Sequence, residues 1–281
     1  MSTFILPFEK MHGLGNDFIV IERRNMPNGT DDQKLAKILC DRNFGIGADG
    51  IIIVDFSSQK DCDFVWNYYN SDGSEAEMCG NGMRCFAKYV FERGFIESNK
   101  FSVLTKAGII SPVIEEDGEV TVVIGKPSLP RVIKEQIQID SKIYNYTYIE
   151  VGNPHCVIFL DEEISDEDFF KYGPLLERNQ RFPNGVNVEF SKVLSNDVIK
   201  CRVWERGCGP TLACGTGACA TLVAAVVNGL TNDIVVVKLP GGDLNVKWDR
   251  LNDSVMLKGP AVFVFTGQYN LNPSVICKSL V

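Results

Sequence analysis

The sequence lacks the features that mark several large classes of protein. No run of about 18 consecutive apolar residues occurs in its 281 residues, so no membrane-spanning helix is expected. The first ten residues, MSTFILPFEK, hold too short an apolar stretch for a signal peptide, and we expect a cytoplasmic protein. The formal net charge of -8 argues against a nucleic-acid-binding surface and favours a small polar substrate.

Motifs for common cofactors are also missing. The ten cysteines include no Cys-x-x-Cys pair and the histidines form no spaced pair, so no zinc site is expected. Neither G-x-G-x-x-G after a strand nor G-x-x-x-x-G-K-[ST] occurs, so no sequence motif indicates a nucleotide cofactor. We expect no metal and no cofactor, and we interpret the cysteines as reduced thiols.

Two cysteines stand directly before helical sequences. Cys214 lies in ACGTGACATLVAAVVN (213–228), and Cys79 lies in MCGNGMRCFAKYV (78–90). The N–H groups and the positive dipole end of a helix start favour a thiolate over a thiol, so both cysteines are predicted to be acidic. Six other cysteines are predicted to be core residues: Cys40, Cys62, Cys156, Cys201, Cys219 and Cys277.

The rest of the pattern alternates short strands and helices. Helices are predicted after Thr30, from Cys79 to Gly94, over 166–177 and after Cys214. Strands are predicted within 6–23, after 50, near 62–70, 101–105, 108–115, 119–124 and 136–150, after 185, and near 198–205, 233–239, 244–248 and 254–268, with a loop at 151–156.

The second half of the chain repeats the first. Gly15-Asn16 matches Gly152-Asn153 at an offset of 137, Gly47 matches Gly185 at an offset of 138, and Asn70 and Glu205 each precede their cysteine by nine residues. Three matches in the same order indicate two similar α/β domains that each contribute one cysteine. The segment GKPSLP (125–130) is the predicted linker.

Two facing thiols suit inversion at a carbon atom. One thiolate removes a proton from one face while the other thiol returns a proton to the opposite face, with the sulfurs roughly 6 to 7 Å apart. Converging helix starts stabilise the negative charge that develops on the carbon acid. Asn16, Asn70, Asn81, Asn153 and Asn187 offer neutral donors, and Arg206 offers a fork for a carboxylate.

Four motifs carry a family resemblance. They are GxGNDF (13–18), NxDGSEAxxCGNGxRC (70–85), GNPHxV (152–157) and ERGxGxTxACGTGACA (205–220), together with the symmetry of the two halves. The chain resembles diaminopimelate epimerase. The resemblance implies two pseudo-symmetric α/β (α+β) domains, each a curved and mainly antiparallel sheet around a central helix. It also implies interconversion of LL- and meso-2,6-diaminopimelate, for lysine and peptidoglycan synthesis, without pyridoxal phosphate or metal.

The resemblance also assigns residues. Cys79 and Cys214 are the catalytic pair, the first donating and the second abstracting a proton in the LL-to-meso direction, and His155 and Glu205 tune their pKa values. Substrate contacts fall to Asn16, Asn70, Gly80, Asn81, Asn153, Asn187, Glu205, Arg206, Gly215 and Thr216. The implied domains are 1–124 with 262–281, and 125–261, with the site in the cleft between them. A homodimer is implied as well.

Two other functions stay open. Many family members have a glutamine where this chain has Gly50, which leaves room for a cofactor-independent racemase acting on glutamate or proline. Two acidic cysteines could instead form a regulatory disulfide in a thiol redox protein. Without the motifs, His155 would be an ordinary loop histidine, and Glu205-Arg206 would be a solvated charge pair.

Overall fold

The computed structural model describes residues 4–75, 78–129, 132–272 and 276. The chain forms two compact units, Met1–Val122 with Pro260–Val281 and Val123–Gly259. The predicted domains change at residues 124 and 261, close to these limits, and that assignment stays a prediction. Cys277 and Pro130 lie outside the described residues.

The helices and strands follow the predicted order. The four helices of the described residues are α1 Asp32–Cys40, α2 Gly80–Glu92, α3 Asp166–Glu177 and α4 Gly215–Val227. The strands are β1 Phe4–Gly13, β2 Asn16–Glu22, β3 Gly50–Phe56, β4 Phe64–Asn70, β5 Val103–Thr105, β6 Gly108–Ile110, β7 Val113–Ile114, β8 Val120–Gly125, β9 Glu135–Ile139, β10 Lys142–Glu150, β11 Pro154–Phe159, β12 Asn187–Ser195, β13 Val198–Glu205, β14 Gly209–Thr211, β15 Ile234–Leu239, β16 Gly242–Asp249, β17 Ser254–Gly259 and β18 Val262–Leu271.

In the first unit a mainly antiparallel sheet runs in the order β18-β1-β2-β3-β4-β5-β6. Helix α2 packs on one face, where Phe86 meets the rings of Phe64 and Trp66 edge-on. Helix α1 covers the other face, where Leu35 and Leu39 join a core cluster from the first three strands. Each helix therefore buries one apolar face against the sheet.

In the second unit a sheet runs in the order β17-β16-β15-β13-β12-β11-β10-β9, with β14 paired to β13. Helix α4 is apolar on all sides, and 11 of its 13 residues are buried, which makes it the central helix of this unit. Helix α3 covers the other face of the sheet, where Phe169 and Leu176 join an aromatic-rich core cluster.

The two units repeat one connection pattern, which confirms the predicted fold class. In the first, β2 pairs in parallel with β3 and β3 pairs antiparallel to β4. In the second, β11 pairs in parallel with β12 and β12 pairs antiparallel to β13. One helix connects each parallel pair, α1 or α3, and the next helix carries a cysteine at its N-cap, Cys79 or Cys214.

Three of the predicted elements differ from the structure, and each difference occurs at a proline. The strand expected at 108–115 is interrupted at Pro112, so that β6 pairs with β5 whereas β7 pairs with β8. The run expected at 254–268 is interrupted at Pro260, which separates β17 from β18. Proline has no N–H for the ladder, but it can start a strand, as Pro154 starts β11 inside the loop expected at 151–156. The short strand β14 was not predicted.

No helix of the described ranges is long and apolar enough to cross a membrane.

Candidate active site

Cys79 is the N-cap of α2. Its backbone is extended, and its Sγ accepts a hydrogen bond from the N–H of Gly82 at 3.4 Å. The carbonyl oxygen of Cys79 accepts from Met83 and begins the helical ladder. The N–H groups of Gly80 and Asn81 belong to the first turn, whose N–H groups a helix does not use in its own hydrogen bonds. They are placed to hold an anion beside the half-buried sulfur.

Asn16 links Cys79 to a cluster of charged residues. Its Oδ1 accepts from the Cys79 thiol at 3.8 Å and from Asn81 Nδ2 at 3.2 Å. Its Nδ2 donates to Asp49 Oδ2 at 2.7 Å, so the orientation of the amide is fixed. Cys79 therefore faces neutral amides directly.

The charged cluster behind Asn16 was not predicted from the sequence. Arg42 donates to Asp17 and Asp49, at 2.8 Å in each case, and Lys10 forms an ion pair with Asp17 at 2.6 Å. Burial opposes the ionisation of Asp17, but hydrogen bonds from Arg42 and Lys10 outweigh it and lower its pKa from 3.8 to about 2. Asp49 belongs to the loop GIGADG. An acidic residue in this glycine-rich loop is the sequence feature that could have predicted the cluster.

Asn70 ends β4 opposite Gly50 of β3. Its Oδ1 accepts from the Tyr68 hydroxyl at 3.0 Å and its Nδ2 donates to Ser74 Oγ at 2.9 Å. A Cβ atom on residue 50 would lie 2.5 Å from the Tyr68 ring and 2.7 Å from the Tyr69 carbonyl oxygen. Glycine is therefore the residue that fits here, because the Tyr68 ring occupies the space that a longer side chain at position 50 would need.

Cys214 is the N-cap of α4 and repeats the geometry of Cys79. Its Sγ accepts from the N–H of Gly217 at 3.3 Å and lies 3.5 Å from the Thr216 hydroxyl. Its carbonyl oxygen accepts from Ala218 at 3.0 Å. In each unit the cysteine sulfur thus caps the N–H three residues on.

The surroundings of Cys214 reverse the prediction that it is acidic. Burial raises the pKa of this thiol well above 9.0, and the nearby carboxylates of Glu205 and Glu189 raise it further. The contacts with Thr216 and Gly217 act in the opposite direction and are weaker. The prediction was wrong, because only 6% of the residue is exposed and desolvation exceeds the effect of the helix start.

Glu205 ends β13 beside Cys214. Its Oε1 accepts from the Thr211 hydroxyl of β14 at 2.5 Å. Burial raises the pKa of Glu205, the bond from Thr211 lowers it, and repulsion by Glu189 raises it. Two carboxylates and one thiol therefore share this part of the second unit, and the unpredicted strand β14 holds one of them in place.

His155 is completely buried on β11. Its Nδ1 lies 2.7 Å from Glu189 Oε1, and its Nε2 lies 2.7 Å from Asn153 Oδ1. Glu189, also completely buried, was not among the predicted site residues. The alternation of NVEF was a usable signal, because residues 187 and 189 of a strand share one face.

Asn187 and Arg206 meet at the end of the same sheet. Asn187 donates from Nδ2 to the Pro154 carbonyl oxygen at 2.9 Å and accepts from the Arg206 N–H at 2.9 Å. The Arg206 guanidinium donates to the Asn184 carbonyl oxygen at 3.4 Å. It also lines a pocket of about 510 Å³, together with Arg181, Glu135 and Glu150.

The glycines three residues beyond each cysteine stand where a side chain would have little space. A Cβ atom on Gly217 would lie 2.8 Å from Glu189 Oε1 and 3.2 Å from the Cys214 sulfur. A Cβ atom on Gly82 would lie 3.2 Å from the Trp66 ring. The preference for glycine at these positions thus has a steric basis, which is stricter at Gly217.

Five of the six cysteines predicted to be core residues are buried, which confirms that interpretation: Cys40, Cys62, Cys156, Cys201 and Cys219. Cys277 lies outside the described residues. Nine cysteines of the described ranges have free thiols. Those ranges contain no group of three or more His, Cys, Asp or Glu side chains arranged to hold a metal ion.

Comparison with known proteins places the chain in a family. A sequence profile described as "Diaminopimelate epimerase" matches residues 8–130 and 147–264. The chain belongs to the diaminopimelate epimerase family. A protein of that name from Trichodesmium erythraeum is 44% identical over 275 residues, which span 92% of this chain and 98% of the relative. Another from Heliobacterium modesticaldum is 44% identical over 284 residues, which span 95% and 100%. The predicted family is confirmed.

Solved structures share the fold at low identity. A hydroxyproline epimerase from Agrobacterium vitis superposes with a TM-score of 0.73 at 18% identity, covering 95% of this chain and 93% of that one. A PhzF-family phenazine biosynthesis protein from Bacillus anthracis has a TM-score of 0.72 at 15% identity, covering 96% and 100%. The fold of the diaminopimelate epimerase family thus extends to other epimerases and to PhzF proteins.

Proposed function

We propose that this chain is a diaminopimelate epimerase that interconverts the LL and meso forms of 2,6-diaminopimelate without a cofactor, in lysine and peptidoglycan precursor synthesis. One observation carries the mechanism. Each of two similar units places a cysteine sulfur at the start of a helix, where it accepts the N–H three residues on, at 3.4 and 3.3 Å. Family membership supplies the substrate.

In the proposed reaction Cys79 and Cys214 act on opposite faces of one α-carbon. The thiolate form of one cysteine takes the α-proton, and the thiol form of the other donates a proton to the opposite face. The enzyme leaves the turnover with the two protonation states exchanged. In the LL-to-meso direction Cys214 abstracts and Cys79 donates.

Cys214 must lose its proton before it can abstract one. Its raised pKa favours the thiol, so a base is required. Glu205 is that base in our proposal, because its carboxylate lies beside the sulfur and is positioned by Thr211. His155 lies on the same face of the sheet and tunes the potential at the thiol.

The substrate is held by neutral amides, one arginine and two helix starts. The N–H groups of the first turns, at Gly80, Asn81, Gly215 and Thr216, receive the carboxylate next to the reacting carbon. Asn16, Asn70, Asn153, Asn187, Glu205 and Arg206 bind the remaining groups. Arg206 suits the distal carboxylate, because its guanidinium offers a planar fork.

The test is incubation of the reduced protein with LL-diaminopimelate in deuterated water without added cofactor. We expect inversion at one α-carbon, with deuterium in the product at that carbon. Absence of both inversion and exchange would contradict the proposal. Parallel reactions with glutamate, aspartate and proline address the racemase alternative left by Gly50, and faster turnover of one of them than of diaminopimelate would replace the proposed substrate.

An oxidised sample addresses the redox alternative. If the free thiols perform the proton transfers, oxidation to a disulfide removes both, so activity should disappear and return after reduction. Activity that appears only on oxidation would support a thiol redox protein. The free thiols also suit a reducing compartment, and we propose a cytoplasmic enzyme.

We further propose a homodimer formed through β18. This edge strand exposes Val262, Val264 and Phe265, with 41%, 53% and 49% of their surfaces accessible. Exposed apolar residues on an edge strand favour pairing with another chain. Sedimentation equilibrium should give a dimer mass for the wild type and a monomer mass for Phe265→Lys. A wild-type monomer at micromolar concentration would contradict the proposal.

A further inference from the structure

Glu189 is a completely buried carboxylate on the central strand β12 of the second unit. Its neighbours in sequence, Val188 and Phe190, point into the aromatic core cluster under α3. Glu189 points to the opposite face, where α4 packs. A charge removed from water is retained only when a partner compensates the lost solvation.

The partner of Glu189 is His155. The two side chains are 0% exposed, and His155 Nδ1 lies 2.7 Å from Glu189 Oε1. The other ring nitrogen, Nε2, faces Asn153 Oδ1 at 2.7 Å. Both ring nitrogens thus face oxygen acceptors. An imidazole that donates from both nitrogens carries a positive charge, and the carboxylate at Nδ1 is its counter-ion.

The same carboxylate approaches the N-cap of α4. A Cβ atom on Gly217 would lie 2.8 Å from Glu189 Oε1 and 3.2 Å from the Cys214 sulfur. The carboxylate and the thiol therefore both lie next to the Cα–H group of Gly217. The second oxygen, Oε2, accepts no hydrogen bond within the described ranges. Glu189 is therefore held by His155 on one side and is close to the reacting sulfur on the other.

We propose that Glu189 is a positioning residue, which keeps His155 doubly protonated and oriented toward Asn153, and which thereby places a fixed ion pair behind Cys214. This inference deepens the proposed function and rests on it for its kinetic consequence. The positive charge on His155 offsets the repulsion between the Glu189 carboxylate and the Cys214 thiolate during turnover, as a nearby imidazolium favours other catalytic thiolates. The carboxylate orients the ring, as in other acid–histidine pairs.

Several titratable groups surround this pair. They are Cys156 from β11, Glu205 and Cys201 from β13, and Cys214 from the start of α4. The pKa of Glu189 is raised, because burial opposes its ionisation more strongly than the attraction of His155 favours it. A pH–rate profile reports all of these groups together, so the protonation of the pair must be observed at His155 itself.

The experiment uses the fact that the chain has two histidines, His12 and His155. Nitrogen-15 NMR of histidine-labelled protein reports the protonation of each ring nitrogen, and a His12→Gln variant assigns the signals. His12 Nδ1 accepts from the Gly15 N–H at 3.3 Å, so His12 provides a reference for an unprotonated Nδ1. At pH 7.5 both nitrogens of His155 should carry hydrogen.

Glu189→Gln keeps the shape of the side chain but removes its charge. We expect His155 to become neutral, with hydrogen on Nε2 only, and kcat for diaminopimelate to fall at least about tenfold with a KM change below about threefold. Glu189→Asp should restore the doubly protonated ring in part. Ser191→Ala is the matched control, because Ser191 is buried on the same strand and face, and it should match the wild type in both measurements.

A neutral His155 in the wild type would overturn the inference, and so would an unchanged kcat in Glu189→Gln. If Glu189→Gln does not fold, the wild-type NMR spectrum and the Glu189→Asp variant still test the charge of His155. If the wild-type protein does not act on diaminopimelate, the proposed function fails, whereas the charged state of His155 is still decided by NMR.

Discussion

The two cysteine caps have the same backbone geometry and different chemical surroundings. Cys79 is half-buried and donates to the neutral amide of Asn16, which also accepts from Asn81. Cys214 is buried beside the carboxylates of Glu205 and Glu189. The charged cluster of the first unit is separated from its cysteine by the Asn16 amide, whereas in the second unit the acids are adjacent to the sulfur.

This difference shows that a helix start does not by itself make a thiol acidic. The dipole contribution is similar for both caps, but desolvation and like charges determine the protonation of Cys214. A two-base reaction needs one thiol and one thiolate at the same moment, and unequal surroundings are a simple way to hold two like groups in different states.

Removing either sulfur should have the largest effect. In Cys79→Ala or Cys214→Ala one face of the carbon has no proton donor or acceptor, so inversion should fall by about 100- to 10,000-fold. Polarimetry or chiral chromatography of the product measures it. Cys219→Ala, in the buried body of α4, is the control and should keep its activity. Full turnover in either cap variant would exclude the two-thiol mechanism.

Glu205→Gln should make Cys214 more like an ordinary thiol. Glu205 is among the groups that raise the Cys214 pKa, so the neutral side chain should lower that pKa and speed alkylation of Cys214 by at least about threefold at pH 8. Iodoacetamide labelling with peptide mass spectrometry measures the rate. Epimerase activity should fall, because the base is lost.

Cys79 serves as the control within the same samples, since it belongs to the other unit. Its alkylation rate should not change in Glu205→Gln. In the wild type, Cys79 should react before Cys214, because it is more exposed. Equal rates for the two cysteines would remove the difference on which this comparison rests.

Gly217→Ala and Gly82→Ala compare the space behind the two caps. The new methyl group would lie 2.8 Å from Glu189 Oε1 in the second unit and 3.2 Å from the Trp66 ring in the first. We expect Gly217→Ala to lower the free energy of unfolding by about 1–3 kcal/mol, and Gly82→Ala to change it by less than about 1 kcal/mol. Urea denaturation measures both, and the reverse order would contradict the steric argument.

The smallest effect concerns the charged cluster behind Asn16. The pKa of Asp17 is lowered to about 2 in the folded protein, so its ionised form stabilises the fold above pH 3.8, and this contribution is lost as the pH falls toward 2. The stability difference between the wild type and Asp17→Asn should therefore be larger at pH 6 than at pH 2.5. Asp61→Asn, at an exposed residue, is the control for the general effect of removing one carboxylate.

Most of the fold could be predicted because it depends on local signals. The apolar run after Cys214 predicted a helix, and the predicted bounds 166–177 match α3, whose N-cap in the structure is Ser165. The errors fell at Pro112, Pro154 and Pro260, where the choice between ending, starting and interrupting a strand depends on which strand lies alongside.

The site was predicted less completely. The cysteines, asparagines, His155 and Glu205 stand in motifs, whereas Asp49 and Glu189 were missed because their importance comes from neighbours distant in the chain. Asp49 lies 33 residues from Asn16, and Glu189 lies 34 residues from His155. No local pattern gives such a pairing.

The sequence by itself determined the duplicated fold, the two cysteine-capped helices and the family, because helix starts, turns and motifs are written in consecutive residues. The tertiary structure decided the burial of Cys214, which raises the pKa of its thiol, and the contact between His155 and Glu189. Both depend on desolvation and on distances between side chains, and these exist only once the strands are paired and α4 is buried.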